Sequence, residues 1–251
     1  PSYYSNYNYF MSGLYGDLIC EGLIIPHHEI EVSPGKVVIK PEIIPFISYP
    51  YEWPFSYLKE AALATLKIAR MALDRGMILK DASAFNIQKR GSSFLLIDTL
   101  SFVRYEDGMP WVAYIQFLKH FLAPLFTYKY RGLSPEIGVE GAKLGFVYNA
   151  LPLGAQIKPA VLLHLLLQSA NIKQFSGRKP YFKKNTLYAL LDSLENTITK
   201  LERNPNSSWA KYDSCSYSDK SRLSKLENLA LLFKHIPGGT LCVMGANAGY
   251  F

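Results

Sequence analysis

The stretch from Tyr57 to Arg75 constrains this chain more than any other. Leu58, Ala61, Ala62, Thr65, Leu66, Ala69, Ala72 and Leu73 fall on one face at helical spacing, the pattern of a helix that buries one side. Ser56 is placed to cap its start, and Gly76 suits the left-handed residue that closes such a helix. Upstream, residues 37 to 49 read as one or two short strands, Val37-Val38-Ile39 and Ile43-Ile44-Pro45-Phe46-Ile47. Downstream, Asn86-Ile87-Gln88 and Phe94-Leu95-Leu96-Ile97 flank Arg90-Gly91-Ser92-Ser93, which reads as a β-hairpin.

The remainder is mostly helical. Pro110 sits as the first residue of a helix through Trp111, Tyr114, Ile115 and Leu118, which Pro124 should end or kink. Pro159 to Ala170 reads as one helix. Asn185 caps another, in which Leu187, Leu190, Leu191, Leu194 and Leu201 recur at helical spacing. Residues 203–217 are polar and turn-rich, the best linker candidate. A last helix from about Asp219 to His235 precedes Pro237-Gly238-Gly239 and the apolar strand Thr240-Leu241-Cys242-Val243-Met244. The expected fold is α+β: a mainly helical region with short hairpins over 1–202, the linker, and the first helix and strand of an α/β domain over 218–251.

Composition narrows the class. At 49% hydrophobic and 14% aromatic the 251-residue chain is globular. Apolar runs such as residues 160–167 are too short for a membrane span, so a soluble, cytoplasmic protein without a membrane partner is expected. Cys20, Cys215 and Cys242 are scattered, which fits a reducing compartment. The net charge of +7 is spread along the chain, so nucleic-acid binding is not expected. Pro1 and Phe251 do not look like natural termini, so the chain is expected to be a fragment.

Chemistry enters with Asp81. Asn86 follows five residues later, and Asp98 ends the apolar stretch Phe94-Leu95-Leu96-Ile97. This is the spacing of a phosphotransferase loop, Asp-x-x-x-x-Asn, followed by a hairpin and a metal-binding Asp. Asp81 would take the proton of an attacking hydroxyl, while Asn86 and Asp98 would hold Mg²⁺ against the phosphates of a nucleotide. In that arrangement the carboxylates of Asp81 and Asp98 should lie within about 10 Å of each other in one cleft. The bland alternative makes Asp81 and Asn86 turn residues and Asp98 a strand-end cap. Departures from the kinase pattern weaken turnover: Leu79 replaces the loop His, Ser83 a frequent Lys or His, and Thr99-Leu100 the Phe-Gly after the metal Asp. No glycine-rich phosphate loop precedes, and Lys40 stands too close to Asp81 to be the strand lysine of a kinase; it reads as an exposed strand end. Tyr49, Tyr51, Trp53 and Phe55 could line an adenine-type pocket or simply pack a core. His27-His28 reads as a loop pair, and His120 and His164 as histidines within apolar helices.

The second constellation closes the chain. The strand over 240–244 runs into Gly245-Ala246-Asn247-Ala248-Gly249, and glycines there would let a backbone approach the methionine and ribose of S-adenosylmethionine (SAM). The alternative is an ordinary Gly-rich turn. Val243 stands where an acidic residue is usual.

The chain resembles bacterial class I SAM-dependent methyltransferases of the NoeA nodulation-protein type, with a kinase-like region ahead of the methyltransferase domain. Ser12-Gly13-Leu14-Tyr15, Gly22-Leu23-Ile24-Ile25-Pro26-His27 and Ile44-Pro45-Phe46-Ile47-Ser48-Tyr49-Pro50-Tyr51-Glu52-Trp53 carry the resemblance, with residues 76–88, 97–102, 121–125 and the terminal loop. It implies a protein-kinase-like C-lobe over 1–202, then the start of a truncated Rossmann-like domain at 218–251. SAM would be the full-length protein's cofactor, contacted here by Gly245, Asn247 and Gly249. The acceptor, a small molecule or glycan, is not specified by these residues. Two rivals stay open: a Mg²⁺-dependent small-molecule phosphotransferase using Asp81 as base, and a non-catalytic kinase-like binding module.

Overall fold

The structure, a computed structural model, describes residues 2–132, 137–170, 181–203, 218–240 and 242. The chain divides into two units, Pro1–Asn204 and Pro205–Phe251.

In the first unit the helix that dominates the sequence also dominates the fold. Helix α3 (Phe55–Asp74) buries Leu58, Ala61, Ala62, Thr65, Leu66, Ala69, Ala72 and Leu73, and Gly76 follows with φ +68°. Pro54, rather than Ser56, occupies its N-cap, and no side chain caps it; proline's fixed φ already suits the entry to a helix. Against α3 packs α10 (Lys184–Thr199), which buries Leu187, Leu191, Leu194 and Ile198. Arg70 of α3 pairs with Asp192 and, at 3.5 Å, with Glu195. Lys59 Nζ donates to the carbonyls of Thr199 and Leu201 at 2.8 and 2.7 Å. The N-cap of α10 is Lys183, and Asn185 lies inside the helix.

Three antiparallel strand pairs surround this core: β1 (His27–Ser33) with β2 (Lys36–Pro41), β3 (Met77–Leu79) with β6 (Phe102–Arg104), and β4 (Ile87–Arg90) with β5 (Ser93–Leu96). His27-His28 therefore opens a strand rather than a loop. Two helices not read from the sequence, α1 (Ser2–Met11) and α2 (Leu14–Cys20), precede it. The expected strand over Ile43–Ile47 does not form. Pro41 and Pro45 cannot donate to a ladder, and the segment is instead pinned at Ser48. Its N–H donates to Gln88 Oε1 at 3.1 Å, its carbonyl accepts from Gln88 Nε2 at 2.9 Å, and its Oγ accepts from Trp53 Nε1 at 2.9 Å.

The helix expected from Pro110 begins four residues later. Helix α4 (Tyr114–Phe117), a π-helical turn (Leu118–Leu122) and α5 (Ala123–Arg131) run end to end, so Pro124 neither starts a loop nor stops the helix. Proline has no N–H to give, and its ring crowds the carbonyl one turn back. The π turn widens the helix just before it. The carbonyl of Lys119, left without a helical donor, accepts from Ala142 N–H at 2.9 Å. That approach is so close that a Cβ on Gly141, at φ +71°, would lie 2.8 Å from Lys119 Cβ and 3.0 Å from its backbone carbonyl. Helices α6 (Leu144–Ala150) and α7 (Leu153–Gln156) follow. Pro159 to Ala170 then forms one continuous run of α8 (Pro159–Val161), a second π turn (Leu162–Leu166) and α9 (Leu167–Ala170).

In the second unit α11 (Asp219–Phe233) is capped by Ser218, whose Oγ accepts from Ser221 N–H, and it buries none of its residues. Residues 204–217 of the expected linker, and 241 and 243–251 of the expected strand and glycine loop, with Gly245, Asn247 and Gly249, lie outside the described residues.

Candidate functional site

The buried strand β3 delivers the chain from α3 into the Asp81 loop, and Trp111 Nε1 donates to its Leu79 carbonyl at 2.8 Å. Two backbone bonds then tie the three candidate turns together. Lys80 N–H donates to the carbonyl of Ser101 at 2.8 Å, continuing the β3–β6 pairing to the residue before Asp81. Ile97 N–H donates to the carbonyl of Asn86, also at 2.8 Å, continuing β4–β5 to the residue before Asp98. Asp81, Asn86 and Asp98 are all half-buried.

Their side chains also do local work. Asp81 Oδ1 accepts from Ser83 N–H at 2.9 Å, and Ser83 Oγ accepts from Phe85 N–H at 3.3 Å, which caps the short 3₁₀ turn Ala84–Asn86. Asp98 Oδ1 accepts from Leu100 N–H at 2.9 Å and Oδ2 from Ser101 Oγ at 2.6 Å. The turn-and-cap roles of the bland alternative are therefore present. A carboxylate offers about four lone-pair sites, so neither group is consumed by them. Among the described residues no group of three or more His, Cys, Asp or Glu side chains could hold a metal ion. The expected donors, the Asn86 amide and the Asp98 carboxylate, are a pair that would suit Mg²⁺, since that ion keeps most of its shell for phosphate and water.

Beneath the loop lies a support that the sequence did not point to. Gln116 Oε1, from α4, accepts from Ala82 N–H at 2.7 Å. One turn on, His120 in the π turn is 1% exposed, meets the Phe85 ring edge-on at 6.1 Å, and has no partner for Nδ1. Burial, with help from Lys119, pushes His120 down to about 4, against the opposing pull of Asp81 and Glu140. His164, in the second π turn, is pushed by burial to about 4, and its Nδ1 meets Tyr114 Oη at 2.7 Å. Both histidines are buried, in keeping with their place within apolar helices, but periodicity gives no sign that His120 meets Phe85 of the Asp81 loop.

A cleft of about 410 Å³ opens beside Asp98. Tyr3, Tyr4 and Tyr7 of α1 form one wall, Val37 and Ile39 of β2 and the tip residues Gly35 and Lys36 another, and Ile97 to Leu100 the floor. A bulge at Ile30 interrupts the β1–β2 register between Glu29 and Glu31. Glu29 accepts from Tyr7 Oη at 2.9 Å, and that oxygen meets His27 Nε2 at 2.9 Å. Burial, then the Glu29 carboxylate, raises the Tyr7 phenol, while burial lowers His27. Lys40 is an exposed strand residue. The aromatic cluster divides: Trp53 and Phe55 are core, while the Tyr49 and Tyr51 rings stack at 5.4 Å on the surface.

No described helix is long and apolar enough to cross a membrane. No family model matches the chain, and no solved structure does. The chain is similar to the Nodulation protein NoeA of Rhizobium meliloti (strain 1021), 29% identical over 262 residues that cover 93% of this chain and 54% of that protein. It thus spans about half the length of that relative.

Proposed function

We propose that the first unit is a kinase-like module that binds a Mg²⁺-nucleotide, with Asn86 and Asp98 as the metal-side ligands and Asp81 facing the phosphoryl acceptor. The observation that carries this reading is the pair of backbone bonds, Lys80 to Ser101 and Ile97 to Asn86, that join the three turns. The bound ion would supply neutralisation of phosphate charge. Asp81 would accept the proton of a hydroxyl whose oxygen attacks the terminal phosphorus as the bond to the bridging oxygen breaks. Positioning dominates that chemistry. Lys40 stands too close to Asp81 to serve as the strand lysine of a kinase, so turnover by the residues present is expected to be weak and nucleotide binding to be the stronger property.

The second unit keeps its sequence reading as the start of a SAM-binding domain, with Gly245, Asn247 and Gly249 toward the cofactor. What supports it is the Ser218-capped helix ahead of the glycine loop and the similarity to a nodulation protein about twice as long. Methyl transfer, with its acceptor, is proposed for the longer protein.

The test is a thermal-shift and calorimetry series with ATP, with and without Mg²⁺, on the chain and on Asp98→Ala. Mg²⁺-dependent stabilisation that disappears in Asp98→Ala supports the module. An equal response in both proteins removes it. Phosphate release compared with Asp81→Asn ranks the enzyme against the binding module: robust turnover abolished by that substitution makes it a kinase first.

A further inference from the structure

The Asp98 cleft has a chemical polarity of its own. Its floor holds the carboxylate of Asp98, its hairpin wall ends in Lys36, and its α1 wall presents the phenol rings of Tyr3 and Tyr4. Tyr3 is 62% exposed, and the Lys80 ammonium covers its ring at 4.5 Å. That contact ties the N-terminal helix to the residue before Asp81. Lys36 Nζ is 2.9 Å from Glu31 Oε1, with both side chains more than half exposed. A pair so open to water holds its partners weakly, so Lys36 can exchange Glu31 for a more strongly charged anion. Val37 and Ile39 line the same cleft, and its 410 Å³ lies within the range of small-ligand sites.

We infer that this cleft is the nucleotide pocket, with the base stacked on the tyrosines of α1 and the phosphates between Lys36 and Asp98. The inference rests on the Mg²⁺-nucleotide reading above and adds where the ring lies and which cation meets the phosphates. Stacking on aromatic faces suits any base, so the pocket accepts nucleoside triphosphates with little discrimination among bases. The ring-binding surface is then the N-terminal helix, not the Tyr49–Tyr51 surface stack.

Three probes separate the two ends of the pocket: ATP with Mg²⁺, adenosine, and tripolyphosphate with Mg²⁺, each titrated calorimetrically into the whole chain. Tyr4→Ala should weaken ATP and adenosine about tenfold and leave tripolyphosphate unchanged, and Tyr4→Phe should restore both. Lys36→Ala should weaken ATP and tripolyphosphate about tenfold and leave adenosine unchanged. Both positions are on the cleft's surface, and unchanged melting temperatures would exclude a folding effect. If ATP binds, Asp98→Ala abolishes its Mg²⁺ dependence, and neither Tyr4→Ala nor Lys36→Ala alters affinity, the pocket lies elsewhere and this inference is overturned while the metal reading stands. If the unaltered chain binds none of the probes, both fall.

Discussion

His120 and His164 are buried residues whose surroundings change their ordinary chemistry within the acid range. Each is 1% exposed and held near a pKa of about 4 by burial, against about 6.5 in an unfolded chain. The folded state therefore keeps both neutral, and between pH 6.5 and 4 the unfolded chain binds protons that the folded chain refuses. Stability is full above pH 6.5 and falls as the pH drops, by about 3 kcal/mol per histidine at pH 4. Urea titrations at pH 7, 5.5 and 4.5 should show this slope. His120→Leu, which removes a ring whose Nδ1 has no partner, should flatten about half of it without lowering stability at pH 7. A second residue-level test is Gly141→Ala. A methyl group there meets the Lys119 backbone at a positive φ, and the variant should lose roughly 2–4 kcal/mol in a thermal melt.

At the scale of elements, the α4–π–α5 helix holds the Asp81 loop from below. Gln116→Ala leaves the Ala82 N–H without its acceptor, so amide exchange at Ala82 should quicken markedly and stability should drop by about 1–3 kcal/mol. This element also marks the limit of what the sequence made legible. The α3 face, its Gly76 stop and the β4–β5 hairpin were readable because each is a local rule: a period, a left-handed residue, a turn flanked by apolar runs. The π turn was not, because Pro124 in isolation signals an ending, and the device that rescues it is a carbonyl satisfied from Ala142, 23 positions after Lys119. Ile43–Ile47 failed in the opposite sense. Its apolar run looked like a strand, but side-chain bonds from Gln88 and Trp53 hold Ser48 in an irregular segment. For the candidate site, Asp81, Asn86 and Asp98 were named from spacing alone. Gln116, Lys36 and the tyrosine wall are brought there by tertiary pairing that no local pattern records.

For the molecule as a whole, the apolar core is drawn from Tyr7 to Leu201, and no described residue of the second unit is buried. A protein ending at Asn204 keeps all of that core, and it should fold with a cooperative melt of its own, which a thermal scan checks. The hairpin has a consequence of another kind. Its base is braced, since Tyr7 holds Glu29 and His27 while Tyr15 Oη accepts from His27 N–H at 2.9 Å. Just beyond the brace comes the bulge at Ile30, a place where strands bend. From there to the tip is roughly 15 Å of two-stranded ribbon, which makes the hairpin a lever with its pivot at the bulge. A swing of about 15° moves the tip by about 4 Å, roughly twice a Mg²⁺–oxygen distance. Val37 and Ile39 pack against the core from β2, so the width of the cleft mouth is set by the angle at the bulge together with these two contacts.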